Sequence, residues 1–158
     1  MARGYAMIGM HHPKFDSNVG GVMRAAGVYE AAAVFYDGQT RFLRMPAADT
    51  MGAHKHLPLI KIEDMQNVIP LDCVPVAVDL VPGARNLVTY DHPERAFYIF
   101  GPENGTLGKD ILKWCTEKVF IPGNQCMNLA ATANVILYDR MAKQQKEQIQ
   151  QEVGIKNV

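Results

Sequence analysis

Short apolar runs recur along this chain, each closed by glycine, proline, asparagine or aspartate, and the segments between them carry helix-like spacing. That alternation restricts the fold more than any other feature. Tyr5 to Met10 reads as a first strand, stopped by His11-His12-Pro13. Asp16 or Ser17 then caps a helix that sets Val19, Val22, Met23 and Ala26 at spacings of three and four and ends near Gly27. Ala32 to Tyr36 is a second strand, closed by Asp37-Gly38, and an irregular region runs on through Pro46. A short helix over Ala47 to His54, a strand over Leu59 to Ile62 and one or two helical turns over Glu63 to Val68 follow. Val74 to Leu80 is the clearest buried strand of the first half, ended by Pro82-Gly83. Phe97 to Phe100 is a strand, Lys109 to Cys115 a short helix, Lys118 to Ile121 the last strand, and from Asn128 the chain is helical to about Gln150. Strands and helices alternating in this way predict an α/β fold, a mostly parallel sheet flanked by helices.

In such sheets ligands bind beyond the carboxyl ends of the strands. Three loops meet that description together: Leu80 to Asn86, Phe100 to Leu107 and Ile121 to Leu129. The last belongs to a distinctive stretch, Phe120 to Tyr138, in which a Pro-Gly-Asn turn leads into a helix start built of Ala130, Ala131, Thr132 and Ala133. Small residues there permit close backbone approach, and the free N–H groups of a helix start can hold a strongly hydrogen-bonding ligand. Asn128 stands where that helix opens, so the stretch reads as one wall of a cofactor pocket.

The 158 residues suit one domain, 1–158, with a polar tail over about 143–158 and no separate nucleic-acid-binding domain. An apolar fraction of 48% with 20% charged residues fits a globular protein rather than a disordered one. Sixteen basic residues balance sixteen acidic ones, so attraction to nucleic acid requires a local patch. Between Gly38 and Lys61 such a patch exists: Arg41, Arg44, Lys55 and Lys61 face only Asp49, with His54 and His56 beside them. It is a candidate phosphate-binding surface, or alternatively an ordinary solvated face. His11 and His12 have the same two readings, as nucleic-acid contacts or as plain loop histidines. Cys73, Cys115 and Cys126 are odd in number and widely spaced, which argues against a disulfide framework or a zinc site and points to a reducing cytoplasm. The amino terminus lacks the apolar core of a signal peptide, and no run is long enough to span a membrane.

Other chemistries fail on spacing. No Gly-x-Gly-x-x-Gly follows the first strand, and Gly108-Lys109 lacks the leading glycine of a P-loop. No His-x-x-x-His or carboxylate cluster has metal-ligand spacing, and no Gly-x-Ser-x-Gly presents a nucleophilic serine. What remains is a set of three motifs. Asn18-x-Gly20 with Arg24 follows the first strand, Phe100-Gly101-Pro102-Glu103-Asn104-Gly105-x-Leu107 follows a late one, and Ile121-Pro122 leads to Met127-Asn128-Leu129. In order and spacing these resemble the motifs of the SpoU (TrmH-like) RNA ribose 2'-O-methyltransferases of the SPOUT superfamily, over nearly the whole chain.

The resemblance implies S-adenosylmethionine (SAM) as cofactor, a homodimer through the first and last helices, and a C-terminal deep trefoil knot that encloses Ile121 to Leu129. Arg24 matches the family's catalytic arginine. Because a guanidinium is a poor base, binding an RNA phosphate and stabilising the developing alkoxide suit it better than proton abstraction. Otherwise it is a surface arginine paired with a carboxylate. Asn18 and Glu103 match residues that orient each other and Arg24, or are an ordinary helix-start residue and a turn carboxylate. Asn128 falls near the methyl-transfer centre and is equally a helix cap. Backbone groups around Leu80, Gly101, Glu103, Ile121, Met127, Asn128 and Leu129 are the candidates to read the cofactor; Leu80, Ile121 and Leu129 also suit plain core. Two positions depart from the family pattern: Cys126 and Ala130 stand where serine is common, and a packed, inert thiol is expected of Cys126. The chain resembles minimal family members that act on tRNA, including the wobble position; a ribosomal RNA substrate and a non-catalytic SAM- or RNA-binding module are the alternatives.

Overall fold

The computed structural model describes residues 4–42, 44 and 47–156. Each apolar run becomes a parallel strand: β1 (Tyr5–Met10), β2 (Ala33–Tyr36), β3 (Leu59–Lys61), β4 (Val74–Val78), β5 (Arg85–Asn86), β6 (Arg95–Phe100) and β7 (Glu117–Phe120). They form one sheet in the order β3-β2-β1-β6-β4-β7-β5. The helices are α1 (Asp16–Val28), α2 (Lys109–Leu112) and α3 (Leu129–Lys156).

Alternation along β6 divides the core, because successive side chains of a strand point to opposite faces. Ala96, Tyr98 and Phe100 join Ile8, Met10, Val76 and Val78 under α1 and α3, whose Val19, Val22, Met23, Ile136 and Leu137 fill that layer. Phe97 and Ile99 face the other way, into a smaller layer with Met65, Cys73, Leu107, Ile111 and Cys115. Both faces of the sheet are therefore covered, which is why its strands read as continuous apolar runs.

Some local expectations are corrected. Ala47 to His54 forms turns and a 3-10 turn at Ala53–Lys55 rather than a helix, since the carboxylate of Asp49 draws in the amides of Ala53 and His54 and tightens the segment. Neither Asp16 nor Ser17 caps α1; its capping position is Phe15, without a side-chain hydrogen bond. The carboxylate that serves this helix start comes instead from Glu103. The polar tail is solvent-exposed over 145–154 yet continues as helix to Lys156. Strand β5 was not foreseen, because two residues carry no periodicity.

The connection over 79–84 leaves β4 and crosses to β5, and β7 occupies the place between those two strands. Asp79 donates its N–H to the carbonyl of Val119 at 3.0 Å, so the crossing lies directly at the end of β7. The last strand thus enters between two strands that are already joined.

Candidate active site

Of the three loops beyond the strand ends, those after β4 and β6 are tied together by Asp79, and Glu103 ties the loop after β6 to the start of α1. Glu103, in the loop after β6, accepts hydrogen bonds from the backbone N–H of Lys14 (3.0 Å) and Phe15 (3.2 Å) and from Nδ2 of Asn18 (3.1 Å). A carboxylate at a helix start is favoured by the unpaired N–H groups and the helix dipole. Burial alone would raise the Glu103 carboxyl, but the bonds from Asn18 and the backbone outweigh it and hold it below its ordinary value. The first two motifs therefore meet in one ionised, hydrogen-bonded cluster.

Asp79 supplies the second tie. It ends β4, and its Oδ2 accepts the Leu107 N–H at 2.7 Å while Oδ1 accepts that of Leu80 at 2.8 Å. This fixes the loop after β6 against the crossing after β4. Asp79 lies just past β4 and not within a strand reaching Leu80; the signal for that end is a residue type depleted in strands standing at the close of an apolar run. Gly101 is required by this closeness: a Cβ there would lie 3.2 Å from the Leu107 nitrogen and 3.4 Å from the Thr106 carbonyl carbon.

Asn128 caps α3. Its Oδ1 accepts the Ala131 N–H at 2.7 Å, and its carbonyl accepts the N–H and the hydroxyl of Thr132. Leu129 is buried and Ile121 half-buried against the core, whereas Leu80 is 74% exposed and Met127 41% exposed. Leu80 is thus not a core residue: the Asp79 turn points it outward. Cys126 is exposed as well, not packed, because the loop before α3 stands off the sheet. The Ala130 Cβ faces Gly21 of α1, where an added Cβ would come within 2.7 Å. The missing serine hydroxyl therefore falls at a helix crossing.

These residues fit a purine nucleoside with a charged tail. Among the described residues, no backbone hydrogen bond engages the peptide groups of 122–127, and the apolar side chains of Met127 and, after β4, Leu80 stand exposed. Free amides and carbonyls read the edges of an adenine, and exposed apolar side chains cover its faces.

Arg24 projects from α1 into solvent, and its guanidinium donates to the Thr50 hydroxyl at 3.0 Å rather than to Glu103. Asn18 and Glu103 orient each other but not Arg24, which belongs to the neighbouring 47–56 segment. In that segment Asp49 is fully enclosed and is held by Ala53, His54 and the His54 ring at 2.8 Å. Burial would raise its pKa, yet the His54 side chain and the two amides bring it below the ordinary value. Arg41, Arg44, Lys55 and Lys61 are all exposed, so the charge that this segment shows to solvent between Gly38 and Lys61 is wholly basic among the described residues.

His11, His12 and Asp37 form a cluster that spacing in the sequence did not reveal, because it joins two adjacent residues to a third at the end of the next strand. A separate cleft of about 610 Å³, lined by residues including His92, Glu94, Arg140 and Lys143, opens at the amino-terminal end of β6 and takes no part in this site.

The fold is a parallel α/β sheet with hydrogen-bonded loops at its carboxyl end, and comparison with known proteins names the class. The model of the SpoU rRNA methylase family matches residues 6–138, and the chain belongs to that family. No curated protein matches the chain. Among solved structures, the SpoU methyltransferase AviRb from Streptomyces viridochromogenes superposes with a TM-score of 0.81 at 19% identity, covering 92% of this chain and 62% of its own. AviRb has also been solved with AdoMet. The A. aeolicus TrmH/SpoU tRNA modifying enzyme gives 0.80 at 17% identity, covering 92% of this chain and 79% of its own. A structure described for the 2-OH methylation of C/U34 on tRNA gives 0.74 at 20% identity, covering 87% and 95%. The chain spans less than two thirds of the length of AviRb.

Proposed function

We propose that this protein transfers a methyl group from SAM to a ribose 2'-hydroxyl of RNA, with tRNA as the substrate class. The observation that carries the reading is the Glu103 cluster, which joins Asn18 of the first motif to the loop of the second beside the Asn128-capped start of α3. The neighbour described for 2-OH methylation of tRNA, which this chain matches over 95% of that neighbour's length, supports the choice of tRNA over ribosomal RNA.

SAM, when bound, supplies an electrophilic methyl group on a sulfonium. The exposed peptide groups of 122–127, with Gly101, Ile121 and Leu129, hold its adenosine, while Leu80 and Met127 cover it. Asn128 fixes the start of α3 and Asp79 fixes the two other loops, so the pocket is built before the ligand arrives. Arg24 binds the phosphate beside the target ribose and stabilises the oxygen as it loses its proton. Asn18 and Glu103 hold the entrance of α1, and thereby the helix that carries Arg24. The basic surface of Arg41, Arg44 and Lys55 extends phosphate binding away from Arg24.

The insertion of β7 between joined strands supports a deep trefoil knot around residues 121–129. Exposed Phe15, Val28 and Tyr138 on or beside α1 and α3 support a homodimer through those helices. Scattering at micromolar concentration reads a dimer if this is right and a monomer if it is not. A cytoplasmic location accords with two buried free thiols and one exposed one. No helix among the described residues is long and apolar enough to cross a membrane. Calorimetry with SAM, followed by turnover on fractionated RNA, tests the proposal; binding without methylation of any RNA supports instead a non-catalytic module, the reading that Cys126 and Ala130 favour.

A further inference from the structure

We propose that His11, His12 and Asp37 form a binding site for a divalent transition-metal ion of the zinc class, set at the carboxyl ends of β1 and β2. Two imidazoles converge on one carboxylate there. His11 Nδ1 lies 2.8 Å from Asp37 Oδ2 and 3.1 Å from Oδ1, and His12 Nε2 lies 3.9 Å from Oδ1. One ligand atom from each residue falls within 4.8 Å of the others. Tetrahedral zinc with bonds of about 2.0–2.1 Å needs donor–donor edges of about 3.3 Å. From the shared oxygen Oδ1, the 3.1 Å to His11 Nδ1 and the 3.9 Å to His12 Nε2 bracket that edge, so a small rotation of the exposed His12 ring toward the carboxylate brings one atom of each residue onto a single ion.

A hydrogen-bonded clamp explains only part of this arrangement. The bond between His11 and Asp37 satisfies that imidazole, but 3.9 Å is too long for a hydrogen bond from His12 Nε2. His12 is nevertheless held toward the carboxylate, in a left-handed conformation (φ 53°) that few residues other than glycine adopt. Its N–H donates to Asp37 Oδ1 at 2.8 Å. Gly38 (φ 95°) makes room for it, since a Cβ there would lie 3.1 Å from the His12 Cα and 3.2 Å from its Cγ. The ring centroids stand 4.1 Å apart. Side-chain exposure is graded from 6% at Asp37 to 21% at His11 and 55% at His12. The carboxylate is thus buried at the base and one side is open to water, as in a two-imidazole, one-carboxylate zinc centre with a solvent position. Bound there, the ion pins the connection whose next residues, Lys14 and Phe15, hold Glu103.

The test is calorimetric titration of the metal-free, untagged full chain with zinc chloride, repeated with cobalt(II) while visible absorption is followed. One ion per chain is expected, with visible bands for cobalt and an affinity at least about tenfold weaker in His12→Asn. Asparagine tolerates the left-handed backbone, so that variant folds even if Asp37→Asn does not. His54→Ala, which removes the only other close pairing of an exposed histidine with a carboxylate among the described residues, leaves binding unchanged. Absence of zinc binding, binding undiminished in His12→Asn, or binding lost in His54→Ala overturns the proposal. None of these readings depends on methyl transfer.

Discussion

Glu103 shows how one side chain links two distant parts of the chain. It accepts from Asn18, 85 positions away, and from two backbone amides that no side chain of α1 satisfies. Glu103→Ala removes these acceptors and is expected to lower stability by about 1–2 kcal/mol, read as an earlier denaturation midpoint. The sign of the pH dependence follows from the depressed carboxyl. Its contribution is complete above the unfolded value of 4.5 and is lost as the pH falls through the lower, folded value. Glu103→Gln flattens that part of the acid-unfolding profile. The pairing of Asn18 with Glu103 and the helix-cap position of Asn128 were legible in the sequence from motif order and spacing. Asp37, Asp49 and Asp79 were not, because each works through partners on another loop or through backbone amides that leave no trace in residue types.

At the scale of elements, α1 and α3 cross where Gly21 meets Ala130. Gly21→Val overpacks that contact against a rigid Cβ and is expected to cost about 1–3 kcal/mol, measured by chemical denaturation. The Asp49-centred turn has a different role: it presents the Thr50 hydroxyl to Arg24. Thr50→Val leaves SAM affinity unchanged in calorimetry and raises KM for RNA more than it lowers kcat, since it frees Arg24 without removing it; equal activity to wild type contradicts this role. Strands and helices with strong periodicity, such as β1, α1 and β4, were legible close to their observed limits. The 47–54 segment was not, because a buried carboxylate, not local propensity, decides its shape.

Over the whole molecule, α3 ties the site to the far end of the sheet. His92 lies between the Tyr98 hydroxyl (2.6 Å) and Asp139 (2.8 Å), and Lys143 reaches from Asp139 to the carbonyls of Leu87 and Tyr90. Arg140 binds the carbonyls of Pro93 and Glu94. Burial holds His92 below its ordinary value of 6.5 against the opposing bond from Asp139. Above that value His92 is neutral whether folded or not; below it the unfolded chain takes up the proton first, so folding weakens. The thermal midpoint is expected to fall between about pH 7 and about pH 5.5, and His92→Gln to reduce the slope. The parallel sheet was legible as a whole from its alternating elements. The place of β7 between β4 and β5 was not, since strands consecutive in the chain are usually neighbours in the sheet. The most direct test of the proposed activity is methyl transfer from labelled SAM to fractionated tRNA, with the modified nucleoside mapped. A 2'-O-methylated nucleotide in tRNA is expected from the wild type, falling by about a hundredfold or more in an Arg24→Ala protein that keeps its circular dichroism spectrum. Full activity in Arg24→Ala contradicts the role given to that residue, and no methylated nucleotide in any RNA fraction from a SAM-binding protein contradicts the activity itself.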